Sequence, residues 1–230
     1  MGQHCSCLPL DARWTALEES VRLAREADSP WLLAASIVMA YAGSFSVGKS
    51  SAFKLAVLDE AVGIARTIGD SDLMYETIHG KADVFLYLGE YETARDWFLE
   101  AKRLAHERND RFQVFEALFH LVTISLALGE HSSAKAECID ALHLCVELNM
   151  RFYIPRLFYD MAEISISEGS RKRAARLHAA SAQYGRPTAV FEPQSFQRLG
   201  LTAEEAGAAW LAAKSMDIDE LVSYALADAE

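Results

Sequence analysis

The amino-acid sequence predicts an all-α fold, and its composition provides the first two observations behind that prediction. Ala and Leu together account for 64 of the 230 residues, and both favour helix. Pro is rare, and none occurs between Pro30 and Pro155, so 124 consecutive residues lack the strongest helix breaker. Hydrophobic residues make up 51% of the chain, which is too many for a disordered protein. All-β sandwiches and collagen-like chains are excluded by the same composition.

The third observation is an internal repeat of forty residues. Segments 71–110, 111–150 and 151 onward align without gaps, and each carries a Gly followed by a polar turn, at Gly89, Gly129 and Gly169. Small residues recur at fixed offsets on both sides of this turn: Ala82, Val122 and Ala162 before it, and Ala94, Ala134, Ala174, Ala101, Ala141 and Ser181 after it. Each repeat therefore predicts a helix, a Gly-centred turn and a second helix, with small residues where the two helices approach closely.

The repeat defines the expected order of elements along the chain. Residues 1–10 are predicted to be a disordered start, 11–29 an unpaired helix, and 30–70, 71–110, 111–150 and 151–184 the repeats. The second helix of the first repeat, over 52–68, has its apolar residues at helical spacing. After a loop over 185–201, a capping box from Thr202 to Glu205 opens a C-terminal helical cap that extends to residue 230.

These residues resemble a tetratricopeptide repeat (TPR). The small position late in the first helix is followed twelve residues later by Ala, and then by a bulky position at Phe98, Cys138 and His178. The forty-residue period is longer than the usual period of about 34 residues. It is similar to the variant in the C-terminal halves of bacterial STAND signalling ATPases and of LuxR-, MalT- and AfsR-like transcriptional regulators. The resemblance covers residues 11–184 and implies a right-handed superhelix of antiparallel helix pairs, a TPR-like α-solenoid.

The resemblance also implies a partner-binding groove on the first helix of each pair. The groove-facing positions are Glu76, His79, Asp83 and Leu86, then Glu116, Phe119, Thr123 and Leu126, and then Arg156, Tyr159, Glu163 and Ile166. Their mixture of aromatic and charged groups suits a protein, a peptide or a small effector, although Phe119 and Tyr159 could instead pack against neighbouring helices. The expected function is a non-enzymatic scaffold or sensor module of a bacterial signalling or transcriptional regulator, in contact with that regulator's ATPase or DNA-binding domain.

The alternative function is nucleotide binding, because Gly43 to Ser50 satisfies the phosphate-loop pattern G-x-x-x-x-G-K-[ST]. In such a loop the backbone around Gly43 and Gly48 cradles phosphates, Lys49 reaches the terminal phosphates and Ser50 holds magnesium. A phosphate loop needs a parallel sheet with its metal-holding Asp on a separate strand. Asp59 follows Lys49 by only ten residues and the downstream pattern is helical, so a Gly-rich turn is favoured here.

The remaining features predict no further chemistry. The formal net charge of −11 argues against a chain devoted to nucleic acid, and the one dense basic cluster, at 171–176, is interpreted as a solvated helix face. No catalytic or metal-binding motif accompanies the His residues, so no cofactor or metal is expected. The apolar runs are shorter than the ~20 residues that a bilayer requires, and the Cys spacing shows no disulfide framework. A cytoplasmic protein without membrane contact is expected.

Overall fold

The computed structural model describes residues 10–42, 50–185, 196 and 199–227, with the backbone alone for 10–14. Within these residues the protein has eleven α-helices and no strand, which confirms the predicted all-α class. The predicted start at 1–10 lies outside the described residues, except that Leu10 begins the first helix. The predicted loop at 185–201 also lies mostly outside them.

The chain divides into two compact units at Asn109 and Asp110. The first unit contains helices α1 (Leu10–Glu26), α2 (Pro30–Tyr41), α3 (Ser51–Ile68), α4 (Ser71–Leu88) and α5 (Tyr91–Glu107). The second unit contains α6 (Arg111–Ala127), α7 (His131–Glu147), α8 (Ile154–Ser167), α9 (Arg171–Gly185), α10 (Ala203–Lys214) and α11 (Ile218–Leu226). No helix in the described part of the chain is both long and apolar enough to cross a bilayer.

Side-chain caps define where most of these helices begin. A cap oxygen accepts a hydrogen bond from one of the first backbone N–H groups, which have no partner inside the helix. At α10 the predicted capping box is present: Thr202 Oγ1 accepts from the Glu205 N–H at 3.2 Å, and Glu205 accepts from the Thr202 N–H at 3.0 Å. The other helices with a capping side chain begin after Ser29, Ser50, Asp70, Asp110 and Asp217.

Residues with left-handed backbone end the helices. Gly89, Gly129 and Gly169 have φ values of 75°, 75° and 76°, in the turns after α4, α6 and α8. Asn109 and Asn149 have φ values of 55° and 54°, in the turns after α5 and α7. Gly and Asn tolerate this conformation better than other residues, so the sequence determines where the chain reverses.

The core of the first unit forms where α2 packs against α3 and α4. Ile37 of α2 and Leu58 of α3 are fully buried there. Gly80 of α4 lies so close to α2 that a Cβ atom on it would be 2.6 Å from the Ala42 Cβ. Beyond this contact, α4 packs on α5, where Phe98 is fully buried.

In the second unit α6 packs on α7, and α8 packs on α9. The small residues of the sequence repeat lie in these contacts without exposed surface: Val122, Ala134, Ala141, Ala162 and Ala174. Cys138 occupies a bulky repeat position in α7, and its buried thiol donates to the Leu157 carbonyl of α8 at 3.6 Å. The Ala-rich composition is therefore explained by close approach between helices.

Candidate functional site

A cleft in the second unit contains six of the residues that the TPR resemblance predicted in a groove. It has a volume of about 540 Å³ and lies between α6, the start of α7 and α8; we call it the α6/α8 cleft. The predicted residues that line it are Thr123, Arg156, Tyr159 and Glu163, together with Leu126 and Ile166. His131, Asp160, Ala127 and Ser167 complete the lining.

Arg156 and Asp160 form the polar centre of this cleft. The Arg156 Nε donates to both Asp160 carboxylate oxygens, at 2.9 and 3.0 Å, and its Nη2 donates to Thr123 Oγ1 at 3.3 Å. Asp160 is 1% exposed, and burial raises the pKa of its carboxyl, although Arg156 partly opposes that shift. The Arg156 side chain is 48% exposed, so a guanidinium held by two helices remains accessible to a ligand.

Tyr159 and Glu163 provide an aromatic and an acidic surface on α8. Tyr159 is 41% exposed, and its ring centroid lies 5.1 Å from that of His178 on α9. The Glu163 carboxylate lies 3.2 Å from His178 Nε2. The cleft thus presents a cation, an anion and an aromatic ring beside the apolar side chains of Leu126 and Ile166.

Phe119 and Glu116 do not line the cleft. The Phe119 ring packs against Phe115 and Tyr153, with centroids 5.7 and 5.6 Å apart, so the packing alternative describes this residue. Its connection to the cleft is indirect, because the Arg156 guanidinium lies 5.9 Å from the Phe119 ring centroid. Glu116 lies on α6 about two turns before Thr123, outside the lining.

The four predicted groove residues of the first unit, Glu76, His79, Asp83 and Leu86, lie on α4. Glu76 is exposed, whereas His79 packs with its ring centroid 5.5 Å from Tyr75 and 5.2 Å from Phe98. The His79 Nδ1 lies 3.7 Å from an Asp83 carboxylate oxygen, and burial raises the pKa of Asp83 to about 7. His79 and Asp83 are therefore partly buried and paired with each other.

The phosphate-loop alternative falls largely outside the described residues, because Gly43, Gly48 and Lys49 are not among them. Ser50 is described, and its hydroxyl caps α3 by accepting from the Phe53 N–H at 3.3 Å. Asp59 lies in the middle of the same helix, where it forms an ion pair with Lys81 of α4. The sheet that a phosphate loop requires does not occur in the described part of the chain.

Three ionisable residues of the α6/α8 cleft region were missed from the sequence: His131, Asp160 and His178. Asp160 follows Arg156 by four residues, a helical spacing at which opposite charges meet, so that pair could have been recognised. His131 and His178 come from other helices, and no local pattern places them near α8.

The two described cysteines are unsuited to nucleophilic chemistry. Both are buried free thiols. Burial raises the pKa of Cys138 well above its usual range and that of Cys145 to about 12. Both thiols therefore remain protonated at neutral pH, and the nucleophilic thiolate form is suppressed.

No protein-family model matches this chain, and no curated protein matches it. Among solved structures, the crystal structure of BtubC (BKLC) from P. vanneervenii is similar, with a TM-score of 0.67. The match covers 96% of this chain and 93% of that chain at 15% sequence identity. An identity this low shows a shared fold and assigns no activity or ligand to this chain.

Proposed function

We propose that this chain is a non-enzymatic binding module of a cytoplasmic bacterial signalling or transcriptional regulator, and that it binds a peptide segment of its partner in the α6/α8 cleft. The observation that carries the proposal is the convergence of Thr123, Arg156, Tyr159 and Glu163 on one cleft of about 540 Å³. A guanidinium, a carboxylate and an exposed ring suit the mixed polar and apolar surface of a peptide.

The finer fold assignment is part of this proposal. We infer a TPR-like right-handed superhelix with a period of about forty residues. Support comes from the left-handed Gly89, Gly129 and Gly169 and from helices that begin at Tyr91, His131 and Arg171. A compact globule of this length has a radius of gyration of about 17 Å. We expect small-angle X-ray scattering to give a larger value, and a radius of about 17 Å would contradict the superhelix.

The mechanism that we propose is a population shift. A partner that binds one conformation of the repeat array better than another changes the equilibrium between them by its difference in affinity. That change would release or engage the ATPase or DNA-binding domain of the parent regulator. The α6/α8 cleft serves as the sensing surface because its polar groups come from two different helices, and the hydrogen bond from Arg156 of α8 to Thr123 of α6 connects them.

The experiment begins with a random peptide library selected against the full chain. Affinities of the selected peptides are then measured for wild type, Tyr159→Ala and Arg156→Gln. We expect each substitution to weaken binding about tenfold, because each removes a cleft contact. Tyr159 is a cleaner probe than Phe119, whose loss would also remove packing against Phe115 and Tyr153.

The matched control is Tyr87→Ala, which removes an aromatic residue that is 69% exposed in the first unit. This variant should bind the selected peptides as tightly as wild type. Helicity measured by circular dichroism should be the same for all the proteins. Unchanged affinity in both cleft variants, or an equal loss in the Tyr87 control, would overturn the assignment of the α6/α8 cleft.

A further inference from the structure

A second cleft in the second unit has a different chemical character. It has a volume of about 740 Å³ and is formed by three separate segments: residues 169–173 at the start of α9, Gly200, Leu201 and Glu205 at the start of α10, and Tyr224 and Ala227 at the end of α11. The described lining residues of the two clefts do not overlap. We call this second cleft the basic cleft.

Three cations line the basic cleft, and a fourth lies one helical turn away. They are Arg171, Lys172, Arg173 and Arg176. None of the four forms an ion pair with a carboxylate in the part of the chain that the structure describes, whereas Arg22, Arg103 and Arg156 each do. Clustered positive charge without internal compensation is unexpected in a chain of net charge −11, and it creates a local field that attracts anions.

The cationic groups are held in different ways. The Arg173 Nη2 donates to the Ala225 carbonyl at 2.7 Å, which fixes that side chain against the end of α11. The Arg171 guanidinium lies beside Gly200, where a Cβ atom would be 3.1 Å from its Nη1. Because Gly200 has no side chain, Arg171 can lie against the backbone there. Arg171 and Lys172 are exposed, and within the described residues their side chains form no hydrogen bond or ion pair, so both remain available to a ligand.

Tyr224 supplies an aromatic surface in the same cleft. Its ring centroid lies 5.2 Å from the Arg173 Cζ and 4.6 Å from the Arg176 Cζ, both within cation–π range. The sequence cluster at 171–176 lacks an aromatic residue of its own. The tertiary structure provides one from α11, a helix much further along the chain.

Glu205 is the one carboxylate among the described lining residues, and it already accepts hydrogen bonds. It accepts from the Thr202 N–H at 3.0 Å as part of the α10 capping box. This hydrogen bond, together with the nearby Lys172, holds the pKa of Glu205 below its usual range. Among the lining residues that the structure describes, Arg171, Lys172 and Arg173 against Glu205 leave an excess of two positive charges.

We infer that the basic cleft binds a small organic phosphate, with the phosphate on Arg171 and Lys172 and the apolar part of the ligand against Tyr224 and Leu201. A phosphate monoester carries close to two negative charges at neutral pH and matches this excess. One guanidinium group can donate two parallel hydrogen bonds to two oxygens of the same phosphate. The volume is within the range of about 300–1,000 Å³ that is typical of small-molecule sites. This site is distinct from the proposed peptide cleft and would make the module responsive to a phosphorylated effector.

The test titrates adenosine monophosphate, adenosine and inorganic phosphate into the full chain by calorimetry. We expect adenosine monophosphate to bind and adenosine to bind about tenfold more weakly or not at all, because the phosphate carries the charge interaction. The double variant Arg171→Gln with Lys172→Gln should bind adenosine monophosphate about tenfold more weakly, or weaker still, than wild type. Tyr224→Leu should lower the affinity for adenosine monophosphate and leave the affinity for inorganic phosphate unchanged.

Two control variants show whether binding is specific to the basic cleft. The double variant Arg151→Gln with Lys214→Gln removes the same charge from exposed positions in the same unit, and it should bind like wild type. Lys49→Ala should also bind like wild type. Equal affinity for adenosine and its monophosphate, an equal loss in the Arg151 and Lys214 control, or loss in Lys49→Ala would each overturn the inference. Tighter binding of a short oligonucleotide than of adenosine monophosphate would also overturn it, in favour of nucleic acid.

Discussion

At the scale of single residues, burial shifts the pKa of several ionisable groups, and the direction of each shift determines its effect on stability. Burial, and to a smaller extent the positive charge of Arg156, lowers the pKa of His120 to about 4. Burial raises the pKa of Asp83 to about 7. The folded state therefore disfavours the proton on His120 but retains the proton on Asp83. The two groups have opposite effects on stability as pH changes.

We predict that His120 destabilises the protein in acid. The unfolded state binds a proton on His120 near pH 6.5, whereas the folded state binds it only near pH 4. The contribution of neutral His120 to the free energy of unfolding is therefore fully present above about pH 6.5 and is lost as the pH falls toward 4. The full loss is at most about 3 kcal/mol. Urea unfolding of wild type and His120→Asn at several pH values measures it. Asn cannot titrate, so the stability difference between the two proteins should change across this range; a constant difference would contradict the prediction.

At the scale of elements, backbone conformation and space decide what each glycine contributes. Gly63 is exposed within α3, and a Cβ atom there would meet nothing within 4 Å. Gly89 has equally open surroundings but a φ of 75°, in the turn between α4 and α5. Gly80 has helical backbone but lies against Ala42, the residue that follows α2. Substitutions at these three positions, all in the first unit, therefore test three different effects on stability. Gly63 tests helix propensity, Gly89 tests the left-handed backbone, and Gly80 tests close packing.

The first element-scale prediction compares Gly63→Ala with Gly89→Ala. Ala at 63 should stabilise the protein by about 0.5–1 kcal/mol, because it reduces the conformational entropy of the unfolded chain and favours helix. Ala at 89 should destabilise it by about 1–2 kcal/mol, because a left-handed backbone strains any residue with a Cβ atom. Urea unfolding monitored by circular dichroism measures both. Changes of the same sign would show that the turn does not require left-handed backbone.

The second element-scale prediction concerns the contact between α2 and α4. Gly80→Ala should destabilise the protein by about 1–3 kcal/mol, because the added methyl group would lie 2.6 Å from the Ala42 Cβ and force the helices apart. The double variant Gly80→Ala with Ala42→Gly removes the clashing atom and should recover part of this loss. Thermal unfolding measures both variants. A Gly80→Ala protein as stable as wild type would contradict the close approach of the two helices.

At the scale of the whole molecule, the question is which surface carries the function. The α6/α8 cleft combines opposite charges with an exposed ring, whereas the basic cleft combines clustered cations with Tyr224. The phosphate-loop pattern shows no comparable arrangement in its described residues, since Ser50 caps α3 and Asp59 pairs with Lys81. We therefore expect a peptide and a phosphorylated effector to use two separate sites of the second unit.

This assignment predicts the response to ATP with magnesium. Lys49→Ala should bind ATP with the same affinity as wild type, because a phosphate loop needs a parallel sheet and the described residues form helices alone. The double variant Arg171→Gln with Lys172→Gln should bind ATP more weakly than wild type, because both residues line the basic cleft. Fluorescence titration with a labelled nucleotide measures both. A loss of about tenfold in Lys49→Ala would instead support the nucleotide-binding alternative.

The sequence by itself determined the helical class, the positions of the turns and the small residues at helix contacts. These properties are local: Gly129 and Asn149 reverse the chain through their own backbone preferences, and Ala134 and Ala174 recur at the same offset from the turn in successive repeats. The resemblance to a TPR also implied a groove with Thr123, Arg156, Tyr159 and Glu163, and the structure brings these four together in the α6/α8 cleft.

The tertiary structure alone decided which polar groups meet across different helices. Arg173 contacts the end of α11 at Ala225, 52 residues away, and the Glu163 partner His178 comes from another helix. The amphipathic pattern of a helix shows which face is buried but not which distant helix covers it. Phe119 illustrates the same limit, because its register suited a groove while its ring packs against Phe115 and Tyr153. Clefts depend on packing between distant segments, and packing is a property of the folded chain.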